Sequence, residues 1–123
     1  MATARATPTK RTLGRITGPA RIDRRTKNLT ARLRNGDIAV IDHADLDALA
    51  ARSLADARVA AVINAQPYIT GRYPNRGPGV LLAERIPIYS LPDPALMPQI
   101  SDGQRLTIDE GDYLYLDDSP LCV

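Results

Sequence analysis

The residues whose types and spacing best suit chemistry fall in one stretch, Ile69-Thr70-Gly71-Arg72-Tyr73-Pro74-Asn75-Arg76-Gly77-Pro78. Arg72 and Arg76 offer planar guanidinium groups, Tyr73 lies between them, and Asn75 adds an amide. Backbone N–H groups at a helix starting near Gly77 would complete a site for phosphate or carboxylate. The same glycines and prolines also suit a surface loop whose arginines are simply solvated, and both readings stay open. The Gly-Lys-Ser/Thr ending of a nucleotide-phosphate loop is missing, so nucleotide hydrolysis is not expected.

His43 is the only histidine and sits between Asp42 and Asp45. A neighbouring carboxylate can orient an imidazole for proton transfer, although the same residue also suits a loop or a helix cap. Asp42, Asp45 and Asp47 could hold a hard cation, or they could favour the amino end of a helix. Asn64 presents an amide to a ligand or forms a turn. One His and one Cys, Cys122, exclude a multi-cysteine zinc site and an internal disulfide, and no metal or cofactor is implied.

These residues must be positioned by regular elements, and apolar periodicity places most of them. Ile38–Ile41 is a short apolar run of the kind buried on both faces of a sheet. Leu46, Leu49, Ala50, Leu54 and Ala57 then recur at helical spacing, with Asp45 in or before the first turn and Arg58 at the carbonyl end. A second strand is expected over Val59–Ile63, a loop over Gln66–Pro78, a helix from Pro78 to about Arg85, and a third strand over Ile86–Tyr89. Strands alternating with helices imply right-handed crossovers and a parallel sheet. Leu106–Ile108 and Tyr113–Leu116, joined through Glu110-Gly111-Asp112, form a hairpin. Upstream, the pattern predicts two short extended pieces, Leu13–Ile16 and Ala20–Asp23, then a helix over Thr26–Leu33 ended by Asn35-Gly36. Residues 1–12 show no apolar periodicity and read as a disordered basic tail.

With 123 residues the chain holds one ordinary α/β domain and no large multidomain enzyme. There is no Phe and no Trp, so stacking platforms for single-stranded nucleic acid are poorly supplied. The net charge of +2 hides a strong asymmetry. Residues 1–35 carry ten basic residues and one acid, a balance of +9, whereas the remainder carries six basic and thirteen acidic residues, −7. Such a basic arm suits nucleic acid, anionic lipid or an acidic partner, or it serves solubility alone. It lacks helix-turn-helix spacing and interleaved aromatics, so sequence-specific nucleic-acid recognition is not expected. No apolar run reaches the roughly 18 residues of a membrane span, and a cytoplasmic location is the simplest expectation.

Several ordered motifs also carry a resemblance: residues 18–27, Gly36-Asp37-Ile38-Ala39-Val40-Ile41-Asp42-His43, Asp45-Leu46-Asp47, Ala61-Val62-Ile63-Asn64, and Gly71-Arg72-Tyr73-Pro74-Asn75 with Gly77-Pro78. Over residues 18–118 the chain resembles the N-terminal region of SteA-type cytokinetic ring proteins of actinobacteria. The resemblance implies a domain over 13–118 and a tail or linker at 119–123, without the thiamin-pyrophosphokinase-like domain and membrane segment that follow in that family. It implies a non-catalytic interaction module, recruited to the inner membrane at the septum by a membrane-anchored division partner. Its role there would be to promote daughter-cell separation through peptidoglycan hydrolase activation. The alternatives are a sensor of an anionic small molecule at loop 70–78, and part of a kinase or phosphotransfer enzyme.

In order of elements the chain is also similar to the swivelling phosphohistidine domains of phosphoenolpyruvate-using enzymes. That similarity implies a single compact three-layer β/β/α domain with a mostly parallel βαβαβ core and a C-terminal β-hairpin. Where those domains carry a phospho-accepting His, this chain reads Tyr73-Pro74-Asn75-Arg76-Gly77, which argues against phosphotransfer.

Overall fold

The computed structural model describes residues 2–9, 14–71 and 76–123. Three apolar runs form its centre: β3 (Ile38–Ile41), β4 (Ala61–Asn64) and β5 (Ile88–Ser90). They pair in parallel, Ile38 against Ala61 and Val62 against Ile88. All four residues of β3 and all four of β4 are buried, because the sheet is covered on both faces. Ile38 and Val40 pack with Ala61, Ile63 and Tyr89 on one face, while Ala39 and Ile41 pack with Leu46, Leu54, Val62 and Leu81 on the other. The helices α1 (Thr26–Thr30), α2 (Ala48–Asp56) and α3 (Gly77–Ala83) supply Leu29, Leu54 and Leu81 to the second cluster.

The two upstream extended pieces are in fact one strand, β2 (Ile16–Ile22), and Leu13 lies outside the described residues. β2 changes partner along its length. Ile16–Pro19 pair antiparallel with β6 (Arg105–Ile108), and Ala20–Ile22 pair in parallel with β3. Pro19, which has no N–H to give, stands where one ladder hands over to the other. Gly18 is required beside it, since a Cβ there would lie 2.3 Å from the carbonyl oxygen of Gly36. The expected hairpin is β6 with β7 (Leu114–Leu116), and β8 (Ser119–Pro120) extends it. A 3-10 helix at Pro94–Gln99, capped by Asp93, has no counterpart in the apolar periodicity.

Both termini depart from the expectation of tails. β1 (Thr7–Pro8) pairs antiparallel with β5, which completes one curled eight-stranded sheet of order β1-β5-β4-β3-β2-β6-β7-β8. The same segment bridges to the opposite edge through Arg5 with Tyr113 and Thr3 with Cys122. Ala4 and Ala6 are buried in one cluster with Leu114 and Leu121, so both terminal segments pack onto the sheet through these residues while most of their other side chains stay exposed. The physical reason is that an open sheet would leave two unpaired edges, and this short segment covers both.

Three residues of the basic arm, Arg5, Arg21 and Arg32, are tied to the rest of the domain. Arg21 lies 3.4 Å from the buried Asp37 and 3.3 Å from Asp102, and Arg32 lies 2.7 Å from Asp102. Arg32 also donates to the carbonyl of Ile22 at 2.6 Å, and Arg5 donates to that of Gly111 at 2.9 Å. Burial works to raise the Asp102 carboxyl, but the Ile22 N–H together with Arg32 and Arg21 outweighs it and holds the group below the usual carboxylate range. A depressed folded-state value stabilises the fold above the unfolded value and loses that contribution as pH falls through the folded one. Asp102→Asn should therefore lower stability at neutral pH by at most about 1 kcal/mol, because the group is part-exposed. Its deficit should shrink below about pH 4 in urea titrations compared across pH. A deficit that persists unchanged into acid would show that the carboxylate charge is not what stabilises.

Candidate functional site

Sequence reasoning named Asn64, Asp42, His43 and the 69–78 loop, and the structure gives each a distinct place. Arg72, Tyr73 and Asn75 lie outside the described residues. Arg76 is exposed at the cap position of α3 and makes no side-chain cap bond. Gly77 corrects the expectation of an anion-binding helix start. Its N–H donates to the carbonyl of Leu46 at 3.1 Å, and the next residue, Pro78, has no N–H. Gly77 permits close approach to the α2 entry, where a Cβ would meet the backbone of Leu46 and Asp47.

Asn64 ends β4 fully buried, and its amide clasps the end of β3. Oδ1 accepts from the N–H groups of His43 at 3.1 Å and Gln66 at 3.0 Å, and Nδ2 donates to the His43 carbonyl at 2.8 Å. Its amide therefore positions backbone and is not turned to a ligand. Asn64→Ala should cost roughly 2–4 kcal/mol, since three part-buried backbone groups lose their partner. The check is a urea midpoint, and an unchanged midpoint would restore the ligand-facing reading.

Asp47, rather than Asp45, caps α2, accepting from the N–H of Ala50 at 2.7 Å. Asp45 takes a left-handed backbone, φ 53°, and its two carboxylate oxygens accept from the N–H and hydroxyl of Thr70, each at 2.6 Å. It ties Thr70 to the turn that follows β3. Asp42 is half-buried on the same turn. These carboxylates are not gathered for a cation: among the described residues no group of three or more His, Cys, Asp or Glu could hold a metal.

For His43 the sequence leaves open a carboxylate partner or a loop or capping role. Its Nδ1 meets the hydroxyl of the buried Thr26 at 2.8 Å. Thr26 follows β2 and His43 follows β3, so the pair spans the carboxyl ends of two parallel neighbours. The pair lies in a cleft of about 450 Å³ between α1 and α2, walled by Lys27 and Thr30 on one side and by Leu49, Ala50 and Ser53 on the other. Sequence reading missed this cleft because its two walls belong to different strand–helix units. In the loop after β4, burial pushes the Tyr68 phenol well above its ordinary range, and its hydroxyl donates to the carbonyl of Tyr89 at 2.9 Å, with that of Val62 3.3 Å away.

The fold resembles solved structures at low identity. RraAS2 of Streptomyces coelicolor, described as an unusual member of the RNase ES inhibitor RraA protein family, superposes with a TM-score of 0.59 at 15% identity, covering 91% of this chain and 71% of that one. A protein described among novel cellulases from microbes of the gut ecosystem gives 0.62 at 12% identity, over 96% of this chain and 66% of the other. A UPF0107 protein solved by NMR gives 0.58 at 16% identity, over 94% and 97%. At these identities the likeness is one of fold. No protein-family model matches the chain, and no curated protein does.

Proposed function

We propose that this chain is a non-catalytic regulatory module of the SteA type, built in three β/β/α layers as in swivelling domains. The observation that carries the reading is how its polar groups are used. Asn64, Asp45 and Asp47 all hold backbone, and the Nδ1 partner of the single histidine is a hydroxyl, not a carboxylate. A regulatory role is also compatible with the likeness to RraAS2, which is itself described within an inhibitor family. In this reading the module works at the septum with a membrane-anchored division protein to promote peptidoglycan hydrolysis and daughter-cell separation. Among the described residues no helix is long and apolar enough to cross a membrane.

The test has two arms. The chain should associate with membrane-anchored division proteins of an actinobacterium in pairwise two-hybrid assays, and association with none of them would overturn the assignment to division. Incubation with radiolabelled phosphoenolpyruvate or ATP should leave no acid-labile label. A label lost in His43→Asn would replace the module with a phosphotransfer enzyme.

A further inference from the structure

We infer that the α1–α2 cleft is a binding site for a small aliphatic carboxylate bearing a hydroxyl or ammonium donor. The inference stands apart from the division reading and does not depend on it. Its volume, about 450 Å³, falls in the range of small-molecule pockets. The hydrogen-bonding inventory selects the ligand. The Thr26–Nδ1 contact admits either tautomer; in the one where the Thr26 hydroxyl donates, the His43 ring carries its proton on Nε2 and offers a donor to the ligand, and Lys27 supplies a cation. The other polar groups offer acceptors. The hydroxyls of Thr30 and Ser53 donate their own protons to the carbonyls of Lys27 at 3.1 Å and Leu49 at 3.2 Å, which leaves only lone pairs for a ligand.

Asp47 adds a carboxylate and offsets Lys27, so the cleft suits one negative charge and a donor rather than a phosphate dianion. Leu49, 80% exposed at the rim, and Ala50 provide an apolar wall for an alkyl group. Carboxylate toward Lys27 and His43, donor toward Asp47, and alkyl chain against Leu49 together use every kind of group the cleft presents.

The experiment is titration of the full chain, followed by amide chemical shifts, with valine, 2-hydroxy-3-methylbutanoate and 3-methylbutanoate. We expect saturable shifts at Thr26, His43, Ala50 and Ser53, with one of the two donor-bearing acids binding about fivefold more tightly than 3-methylbutanoate, the worth of one hydrogen bond. Lys27→Gln should weaken all three, and Asp47→Ser, which keeps a helix cap, should abolish the preference for the donor. Absence of saturable shifts at the cleft, shifts confined to other surfaces, or unchanged affinity in Lys27→Gln would each overturn the inference.

Discussion

Ala4→Asp should unfold the domain or bring it close to unfolding at neutral pH, although residue 4 stands at the edge of the chain in a stretch of Ala, Thr and Arg. Ala4 has no exposed surface, and Ala6 has 2%. Both sit in the cluster that includes Leu114, Leu121, Tyr89 and Leu91. The backbone around Ala4 is tied at both polar groups. Its N–H donates to the Leu121 carbonyl, and its carbonyl accepts from Leu114 at 2.9 Å. An aspartate here meets alkyl groups and already satisfied amides, so its charge goes unpaired. The cost is roughly 4 kcal/mol or more, against a total stability of about 5–15 kcal/mol for domains of this kind. Ala2→Asp, two positions away and exposed, should leave the urea midpoint within about 0.5 kcal/mol of the parent. If both variants behave like the parent, the amino-terminal segment does not close the sheet.

The second large effect concerns Gly77, where a single methyl group decides the outcome. A Cβ at this position would lie 2.1 Å from the Leu46 carbonyl oxygen and 2.8 Å from that of Asp47. Those atoms are backbone at the entry to α2 and cannot rotate away, so α3 would have to lift from α2. Gly77→Ala should cost roughly 3 kcal/mol, the upper part of the overpacking range. The lift would also disturb Asp47 and hence the cap of α2. Gly79→Ala supplies the internal contrast. Nothing lies within 4 Å of its Cβ position and it is helical, so alanine should stabilise by up to about 1 kcal/mol. Opposite signs from the same substitution two residues apart, read as urea midpoints, would separate close packing from helix propensity. Equal effects would show that Gly77 is not held against Leu46.

The parts of the fold legible in the sequence are those with a local period. β3 lies where its apolar run predicts, and β4 and β5 each start two residues later and end one residue later than expected, because Val59 and Ile86 enter the core without joining a ladder. α1 is shorter than its Leu29–Leu33 spacing suggests, closing at Thr30. The amino-terminal strand did leave a trace, the alternation Thr3-Ala4-Arg5-Ala6-Thr7, but alanine is too weakly apolar to mark a buried face by itself. At the site, Asn64 and His43 were visible as polar residues at strand exits. Their partners were not, because each lies 17 or more residues away: Thr26 for His43, and His43 for Asn64.

The sequence by itself determined the mixed α/β class, the three central strands, the crossover helices and the carboxy-terminal hairpin, since each follows from periodicity or turn chemistry within a short window. Only the tertiary structure decided that the amino terminus joins both edges of the sheet, that Gly77 presses on Leu46, and that Thr26 and His43 meet across a cleft. Those contacts link segments far apart in the chain, and no local pattern of residues encodes which distant backbone a buried alanine or glycine will face.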